Sequence, residues 1–407
     1  MGDRMEKLAL EGGQPVRCAP MPPWPSFAEE EVEAVAAVLR SNKVNYWTGE
    51  EGRCFEREYA DYAGMPFGIA LCNGTVALEL ALYALGVGDG DEVIVPSRTF
   101  IATASCVVMR GARPVVVDLD PVSQNMDPRK LQAALTPRTK AIIAVHLGGW
   151  PCDMDAINAF ARKHGLLVIE DCAQAHGAEY NGKPVGSFGD AAAFSFCQDK
   201  IMTTGGEGGM LLLREEAAWK KAWAFKDHGK DFDLTMFGQH PPGHRWLHTS
   251  FGTNWRMTEM QAVIGRIQLR KLTDWAAKRS YNAEKLAGLL SDIPGIEIPL
   301  PSGLTKSAFY RLYGFIDLGR LSDGWSQDRI VEAINAEGIP CLHGSCSEIY
   351  REEAFSGRGW PMVQRLPVAR QLGETSIAFL VHPTLGDEEI TQTAEAVRKV
   401  LTIAFAR

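Results

Sequence analysis

The chain contains 407 residues and has a formal net charge of −8, with 46% hydrophobic and 23% charged residues. This composition is typical of a globular enzyme and argues against binding to nucleic acid or to an anionic membrane surface. No apolar stretch approaches the roughly 20 residues of a membrane span, the N-terminus does not resemble a signal peptide, and nine cysteines without CxxC spacing indicate a cytoplasmic protein with reduced thiols and no metal site.

From about residue 68, short apolar strands alternate with amphipathic helices. The pattern predicts strands at 68–72, 91–96, 113–120, 139–146, 166–174, 191–196 and 208–213, and helices at 75–85, 101–111 and 154–165. Continuous runs of Val, Ile and Ala are typical of strands that are buried on both faces, as in a parallel sheet covered by helices. The sequence therefore predicts an α/β fold.

The pattern changes after a long helical stretch at 257–290. A strand at 310–318 and helices near 326–337 and 387–404 follow, which together predict a smaller α+β domain. We therefore expect three parts: an N-terminal arm (1–30), a large α/β domain (31–275) and a small C-terminal α+β domain (276–407).

Candidate functional residues follow the predicted strands, because ligands of parallel α/β sheets bind beyond the carboxyl ends of the strands. Gly74 and Thr75 open a helix whose free N–H groups and dipole favour an anion. Phe100 follows the next strand and offers a flat aromatic face. Taken alone, each has a more ordinary interpretation, as a helix cap or as a core phenylalanine.

Three further polar residues follow later strands. Asp171 ends an apolar strand, where a buried carboxylate needs a cationic partner. Ser195 lies near the end of the strand at 191–196, and Lys200 follows it, where an amine can act as a nucleophile toward an aldehyde. The ordinary alternatives are a turn cap for Asp171 and a surface lysine for Lys200.

Together these residues form an ordered set that suits pyridoxal 5′-phosphate (PLP). The phosphate needs a helix N-terminus and a hydroxyl, and the ring needs an aromatic face. The pyridine nitrogen needs a carboxylate to stay protonated, and the aldehyde needs an amine that holds it as a Schiff base. The sequence therefore predicts a PLP enzyme.

The chain resembles the DegT/StrS-type family of PLP-dependent sugar aminotransferases over about residues 25 to 403. The motifs that carry the resemblance are "CNGTVALELAL", "PSRTFIATA", "IEDCAQAHGA", "FSFCQDKIMTTGGEGG" and "GTNWRMTEMQAVIGRIQL". The family has the aspartate-aminotransferase (type I) fold. The resemblance therefore implies a mostly parallel seven-stranded sheet in the large domain.

The resemblance also implies a role for each matching residue. Lys200 would bind the cofactor covalently, Asp171 would pair with the pyridine nitrogen, Gln174 would contact the ring oxygen and Phe100 would stack on the ring. The phosphate would be held by Gly74, Thr75 and Ser195, and by Asn254 of the neighbouring subunit with Arg256 close by. That last match implies a homodimer with shared active sites.

The implied reaction is a ping-pong transamination. L-glutamate would leave its amino group on the cofactor as pyridoxamine phosphate, and a keto-sugar, nucleotide-linked at a 3- or 4-keto position, would accept it. Alternatives are an L-glutamine-dependent cyclitol aminotransferase, an aminohydroxybenzoate-synthase-like enzyme, a PLP-dependent sugar dehydratase or a non-catalytic binding protein. Gly148 and Gly149 stand where many sugar enzymes carry a bulky residue, which leaves the acceptor open.

The histidines near the motifs raise two further expectations. His176 and His228 are candidates to line the substrate pocket. His240, His244 and His248 recur every four residues, but the prolines and glycine between them exclude a regular helix, so we expect a loop near the active site rather than a metal site.

Overall fold

The computed structural model describes residues 7–238, 246–361 and 364–405 of the chain. None of the helices in these ranges combines the length and the hydropathy that a membrane crossing requires. All nine cysteines are free thiols, as the absence of paired spacing predicts.

The first 290 residues form a seven-stranded sheet, a small two-stranded sheet of β6 and β7, and the helices that pack around them. The strands are β1 (Phe67–Leu71), β2 (Glu92–Pro96), β3 (Arg113–Val117), β4 (Thr139–Val145), β5 (Leu167–Asp171), β6 (Glu179–Tyr180), β7 (Lys183–Pro184), β8 (Ala191–Ser195) and β9 (Gly209–Leu213). The helices are α1 (Glu29–Ser41), α2 (Glu51–Ala63), α3 (Gly74–Ala84), α4 (Ala102–Met109), α5 (Leu131–Ala134), α6 (Met154–His164), α7 (Glu216–Lys226), α8 (Phe232–Phe237) and α9 (Glu259–Leu290).

The large sheet has seven strands in the order β1–β9–β8–β5–β4–β2–β3. Six strands of this sheet run in one direction, and β9, between β1 and β8, runs in the opposite direction. Every residue of β2, β8 and β9 is buried, because helices cover both faces of the sheet. The prediction of a mostly parallel seven-stranded α/β fold is confirmed.

A second, antiparallel sheet follows α9, in the order β10–β11–β13–β12. Its strands are β10 (Ile296–Glu297), β11 (Leu312–Ile316), β12 (Cys341–Leu342) and β13 (Ser376–Phe379), and its helices are α10 (Gln327–Ala336), α11 (Pro367–Thr375) and α12 (Asp387–Ala404). Its core includes Leu8 from the N-terminal arm, which packs in one apolar cluster with Leu286, Phe379 and Val397. The predicted boundary at 275/276 falls inside α9, and the division into domains stays a prediction.

The two sheets are joined beside the carboxyl end of β4, at Gly148 and Gly149. The backbone N–H of Tyr310 donates to the Gly148 carbonyl at 2.9 Å, and that of Ala308 donates to the Gly149 carbonyl at 3.0 Å. Both glycines have positive φ, 63° and 89°. A Cβ on Gly149 would lie 2.9 Å from the backbone nitrogen of Phe309, so a larger residue would push the segment 308–310 away.

We expect Gly149→Ala to destabilise the protein more than Gly165→Ala. Gly165 also has positive φ, 65°, but a Cβ there meets nothing within 4 Å. The control Gly165→Ala should lose about 1–2 kcal/mol of unfolding free energy from backbone strain. Gly149→Ala should lose about 1–3 kcal/mol more, because the added Cβ clashes with Phe309. Urea unfolding of both variants measures the difference, and equal losses would contradict the proposed close packing.

Candidate functional site

The strand register brings the candidate residues to one edge of the large sheet. Leu71 at the end of β1 pairs with Gly209, and Gly209 pairs with Ser195 at the end of β8. Asp171 at the end of β5 pairs with Ala193 in β8. The residues that follow these strands therefore converge, as expected for ligand sites of parallel α/β sheets.

A cradle for an anion lies between the start of α3 and the end of β8. The helix begins at Gly74, so its first N–H groups have no acceptor within the helix, and Asn73 Oδ1 accepts only from Val76 at 3.0 Å. A Cβ on Gly74 would lie 2.6 Å from the Ser195 Cβ, so only glycine allows this approach. Thr75 is exposed at the same helix start. The N–H groups, the helix dipole and two hydroxyls suit a phosphate.

Asp171 is a buried carboxylate at the middle of this edge, with 6% of its surface exposed. Burial raises the pKa of Asp171, while a hydrogen bond from Thr103 and the charge of Lys200 oppose the rise. Thr103 Oγ1 donates to one carboxylate oxygen at 2.9 Å, and the Ala173 N–H donates to the other at 3.2 Å. A buried acid held in this way suits a protonated ring nitrogen as its partner.

Gln174 lies three residues after Asp171, and Phe100 lies three residues before Thr103, which donates to Asp171. The Gly148 N–H donates to Gln174 Oε1 at 2.7 Å, which fixes the amide orientation and leaves its NH₂ group to donate elsewhere. Phe100 leaves 68% of its surface exposed, which is unusual for a large apolar side chain. The residues present therefore fit a phosphorylated, protonated, flat aromatic ring.

Lys200 follows β8 and has 17% of its side chain exposed. Its Nζ lies 3.7 Å from Asp199 Oδ1 and 4.8 Å from the centroid of the Tyr310 ring. Trp24 Nε1 donates to the Lys200 carbonyl at 2.8 Å. Lys200 is thus anchored through its backbone while its amine remains accessible beside a carboxylate.

His176 lies beneath the site, which makes its predicted place in a substrate pocket wrong. It is fully buried, and Nε2 must carry the proton because it lies 2.8 Å from the Ser195 carbonyl, which can only accept. Nδ1 accepts from the Tyr59 hydroxyl at 2.7 Å. Burial lowers the pKa of His176 to about 4, so the ring is neutral and holds the end of β8 in place.

Asn254 and Arg256 lie next to the end of β1. The Cys72 N–H donates to the Trp255 carbonyl at 3.0 Å, and Asn254 is exposed. Arg256 Nη1 donates to the buried Asp227 at 2.8 Å, so its guanidinium is fixed within its own chain. Their contact with a cofactor in a neighbouring subunit stays a prediction.

Among the described residues, neither the remaining histidines nor the one cluster of metal-binding side chains forms part of the candidate site. His228 is exposed, and of the His240, His244 and His248 series only His248 lies within the described residues. His146, Glu170 and Cys172 are close enough to hold an ion. Glu170, however, accepts hydrogen bonds from His146 and from the N–H groups of three residues, Gly186, Phe188 and Gly189, so this group serves as a structural support.

Trp24, Tyr310 and Arg311 also lie next to Lys200, and sequence reasoning missed them. They come from the arm and from the segment before β11, and no motif spacing links those segments to β8. Asp199 was missed although it precedes Lys200 in the chain, because an acid beside a lysine is common on protein surfaces.

We expect acid to destabilise the protein partly through His176. Its pKa is about 4 in the folded protein and about 6.5 when unfolded, so between these values the unfolded chain binds the extra proton. Stability should therefore fall with decreasing pH, by about 1.4 kcal/mol per pH unit from this residue. In urea unfolding between pH 6.5 and 4.5, His176→Gln should show a shallower dependence. The exposed control His228→Asn should keep the wild-type slope, and equal slopes in both variants would contradict this assignment.

Comparison with known proteins agrees with this geometry. "GDP-perosamine synthase" of Caulobacter vibrioides is 44% identical over 310 residues, which cover 73% of this chain and 78% of that protein. A "putative L-glutamine:3-amino-2,3-dideoxy-scyllo-inosose aminotransferase" of Streptoalloteichus tenebrarius is 35% identical, with 97% of both chains covered. The crystal structure of an aminotransferase from Psychrobacter cryohalolentis has a TM-score of 0.93 and 53% identity, and the match covers 95% of this chain and 100% of that one.

The family match extends over nearly the whole protein. Residues 25–398 match the DegT/DnrJ/EryC1/StrS aminotransferase family, whose aminotransferases depend on PLP. The solved relative shows that the fold is that of PLP-dependent aminotransferases. The resemblance seen in the sequence motifs is confirmed, and the chain belongs to the DegT/DnrJ/EryC1/StrS family of sugar aminotransferases.

Proposed function

We propose that this enzyme transfers the amino group of L-glutamate to a keto-sugar, a nucleotide-linked 3- or 4-keto sugar, by a ping-pong mechanism with PLP bound to Lys200. The observation that carries the proposal is the convergence of Lys200, Asp171 and the Gly74–Ser195 cradle at one sheet edge. The free thiols fit a reaction in the reducing cytoplasm.

When bound, PLP supplies an electron sink for the carbanion formed at the substrate carbon. Asp171 would pair with the ring nitrogen, and its burial keeps water from competing for that contact. Gln174 would donate its free NH₂ to the ring oxygen, and Phe100 would cover one ring face. Gly74, Thr75 and Ser195 would bind the phosphate.

Lys200 would have two tasks. Its Nζ would hold the cofactor aldehyde, and the free amine would move a proton to and from the substrate carbon. Asp199 lies 3.7 Å from Nζ and accepts a hydrogen bond from Tyr310, so a carboxylate with a fixed partner lies beside the amine. Trp24 holds the Lys200 carbonyl and limits movement of the backbone.

A second candidate is L-glutamine-dependent transfer to a cyclitol ketone. Relatives whose names describe L-glutamine:scyllo-inosose aminotransferases match this chain over 97% of its length. The GDP-perosamine synthase is more identical, at 44%, but over a shorter stretch. We favour the keto-sugar because of this higher identity.

The exposed side chains around Asn254 support a homodimer with shared active sites. Phe251 and Trp246 are 99% and 81% exposed, which is costly for aromatic side chains in water. Asn254 is exposed three residues after Phe251, so a second subunit that covers Phe251 would also contact Asn254. Such a closed, symmetric pair is the commonest assembly of soluble enzymes.

We expect borohydride reduction of the PLP-loaded protein to attach the cofactor to Lys200. Mass spectrometry of peptides should show the label in wild type and in Lys140→Ala, and no label in Lys200→Ala. Lys140 is a matched control because it is exposed at the opposite end of a sheet strand, near the start of β4. A label that persists in Lys200→Ala would contradict the assignment.

The PLP-loaded protein, without borohydride reduction, distinguishes the two donors. The visible absorption band of the bound cofactor should be lost on addition of L-glutamate, and reappear with a nucleotide-linked keto-sugar. A response to L-glutamine alone, reversed by a cyclitol ketone, would establish the second candidate instead.

We expect mixed dimers of Lys200→Ala and Asn254→Ala to recover cofactor binding. A mixed dimer has one site with an intact Lys200 and an intact Asn254 from the other subunit. Random mixing makes half of the dimers mixed and restores one of their two sites, about a quarter of the sites overall. Reduction with borohydride after subunit exchange measures the restored sites. No increase over the separate variants would show that Asn254 serves its own subunit or none.

A further inference from the structure

Arg311, the residue before β11, lies beside the reactive amine, and the proposed chemistry leaves it without a role. Its Nη2 lies 3.7 Å from Asp199 Oδ2, and Lys200 Nζ lies 3.7 Å from the other oxygen of the same carboxylate. Both cations also lie against Tyr310, with the Arg311 Cζ 4.3 Å and the Lys200 Nζ 4.8 Å from the ring centroid. Arg311 is therefore a neighbour of the position where the substrate amine reacts.

The structure leaves much of the binding capacity of Arg311 unused. A guanidinium has five N–H groups, and Nη1 donates to the Tyr310 carbonyl at 3.0 Å. The ion pair with Asp199 is long, and 52% of the Asp199 side chain is exposed, so water weakens that attraction. The Arg311 side chain itself is 15% exposed, so a small ligand can reach it.

A second arginine, Arg279, makes the surroundings more positive but cannot itself contact a ligand. It is fully buried, with its guanidinium carbon 5.0 Å from the Trp24 ring centroid and Nη1 3.3 Å from the Phe309 carbonyl. Burial and the charges of Arg279 and Arg311 lower the pKa of His382 to about 3, so this ring is neutral and adds no charge. An anion bound at Arg311 would be stabilised by both arginines.

We propose that Arg311 binds the α-carboxylate of the amino-acid donor. This inference rests on the proposed aminotransferase function and adds the donor subsite to it. A guanidinium binds a carboxylate through two parallel hydrogen bonds, which fixes orientation as well as position. The α-carboxylate is attached to the carbon that bears the reacting amine, so anchoring it at Arg311 would hold the amine beside Lys200. L-glutamate and L-glutamine would use this subsite equally, because they differ only in the side chain.

Binding of 2-oxoglutarate to the PLP-loaded protein tests the subsite without turnover. Isothermal titration should show that Arg311→Gln raises the Kd for 2-oxoglutarate at least about tenfold, the effect of losing a charged hydrogen-bonding partner. Arg311→Lys should show a smaller rise, since lysine keeps the charge but loses the paired geometry. The control Arg320→Gln removes an exposed arginine that pairs with Asp317, beyond the other end of β11, and should leave the Kd unchanged.

Two results would overturn the inference. One is a Kd for 2-oxoglutarate in Arg311→Gln equal to that of wild type, or no binding in wild type at all. The other is a selective loss of uridine diphosphate binding in this variant, which would assign Arg311 to the phosphates of the acceptor. Labelling of Lys200 by borohydride is expected to be unchanged in both Arg311 variants, which also shows that they fold. Failure of that labelling in wild type would instead refute the proposed function.

Discussion

The arrangement of the site depends on the close approach of two backbone segments beside the carboxyl end of β4. Two hydrogen bonds join Gly148 and Gly149 to the segment 308–310, and a Cβ on Gly149 would leave no room for it. This contact brings Tyr310, which reaches Asp199, to the side of Lys200. The glycine pair, which looks in the sequence like a missing substrate contact, is explained by backbone packing.

Beneath the exposed edge of the sheet, buried polar groups hold the strand ends in place. Neutral His176 connects Tyr59 to the Ser195 carbonyl, and Glu170 accepts from His146 and from three backbone N–H groups one residue before Asp171. Such groups are costly to bury unless each finds a partner, and here the partners are backbone atoms of the strand ends and loops. The supporting layer therefore fixes the positions of Ser195 and Asp171 without contacting a ligand itself.

The residues proposed for the cofactor and the residue proposed for the amino-acid donor come from different parts of the molecule. Residues that fit the cofactor follow strands of the large sheet, whereas Arg311 and Tyr310 precede a strand of the smaller one. A change in the smaller sheet could therefore alter the proposed substrate contacts and leave the proposed cofactor contacts in place. The names of the relatives describe both a GDP-perosamine synthase and an inosose aminotransferase.

The sequence by itself determined the fold class, the alternation of strands and helices, and the residues that fit the cofactor. Gly74, Asp171 and Lys200 could be predicted because each lies in the sequence at or just after the end of an apolar strand. The strand and the functional residue are therefore read from the same short segment. Only the tertiary structure decided what surrounds the amine: Trp24 and Arg311 are far from Lys200 in the chain and are brought together by packing. The tertiary structure also decided that His176 is buried. The sequence motif alone is compatible with a residue in a pocket wall, but in the folded protein Tyr59 and the end of β8 enclose the ring. Local pattern encodes an element and its end, whereas contacts between distant segments depend on how the surfaces of those elements fit.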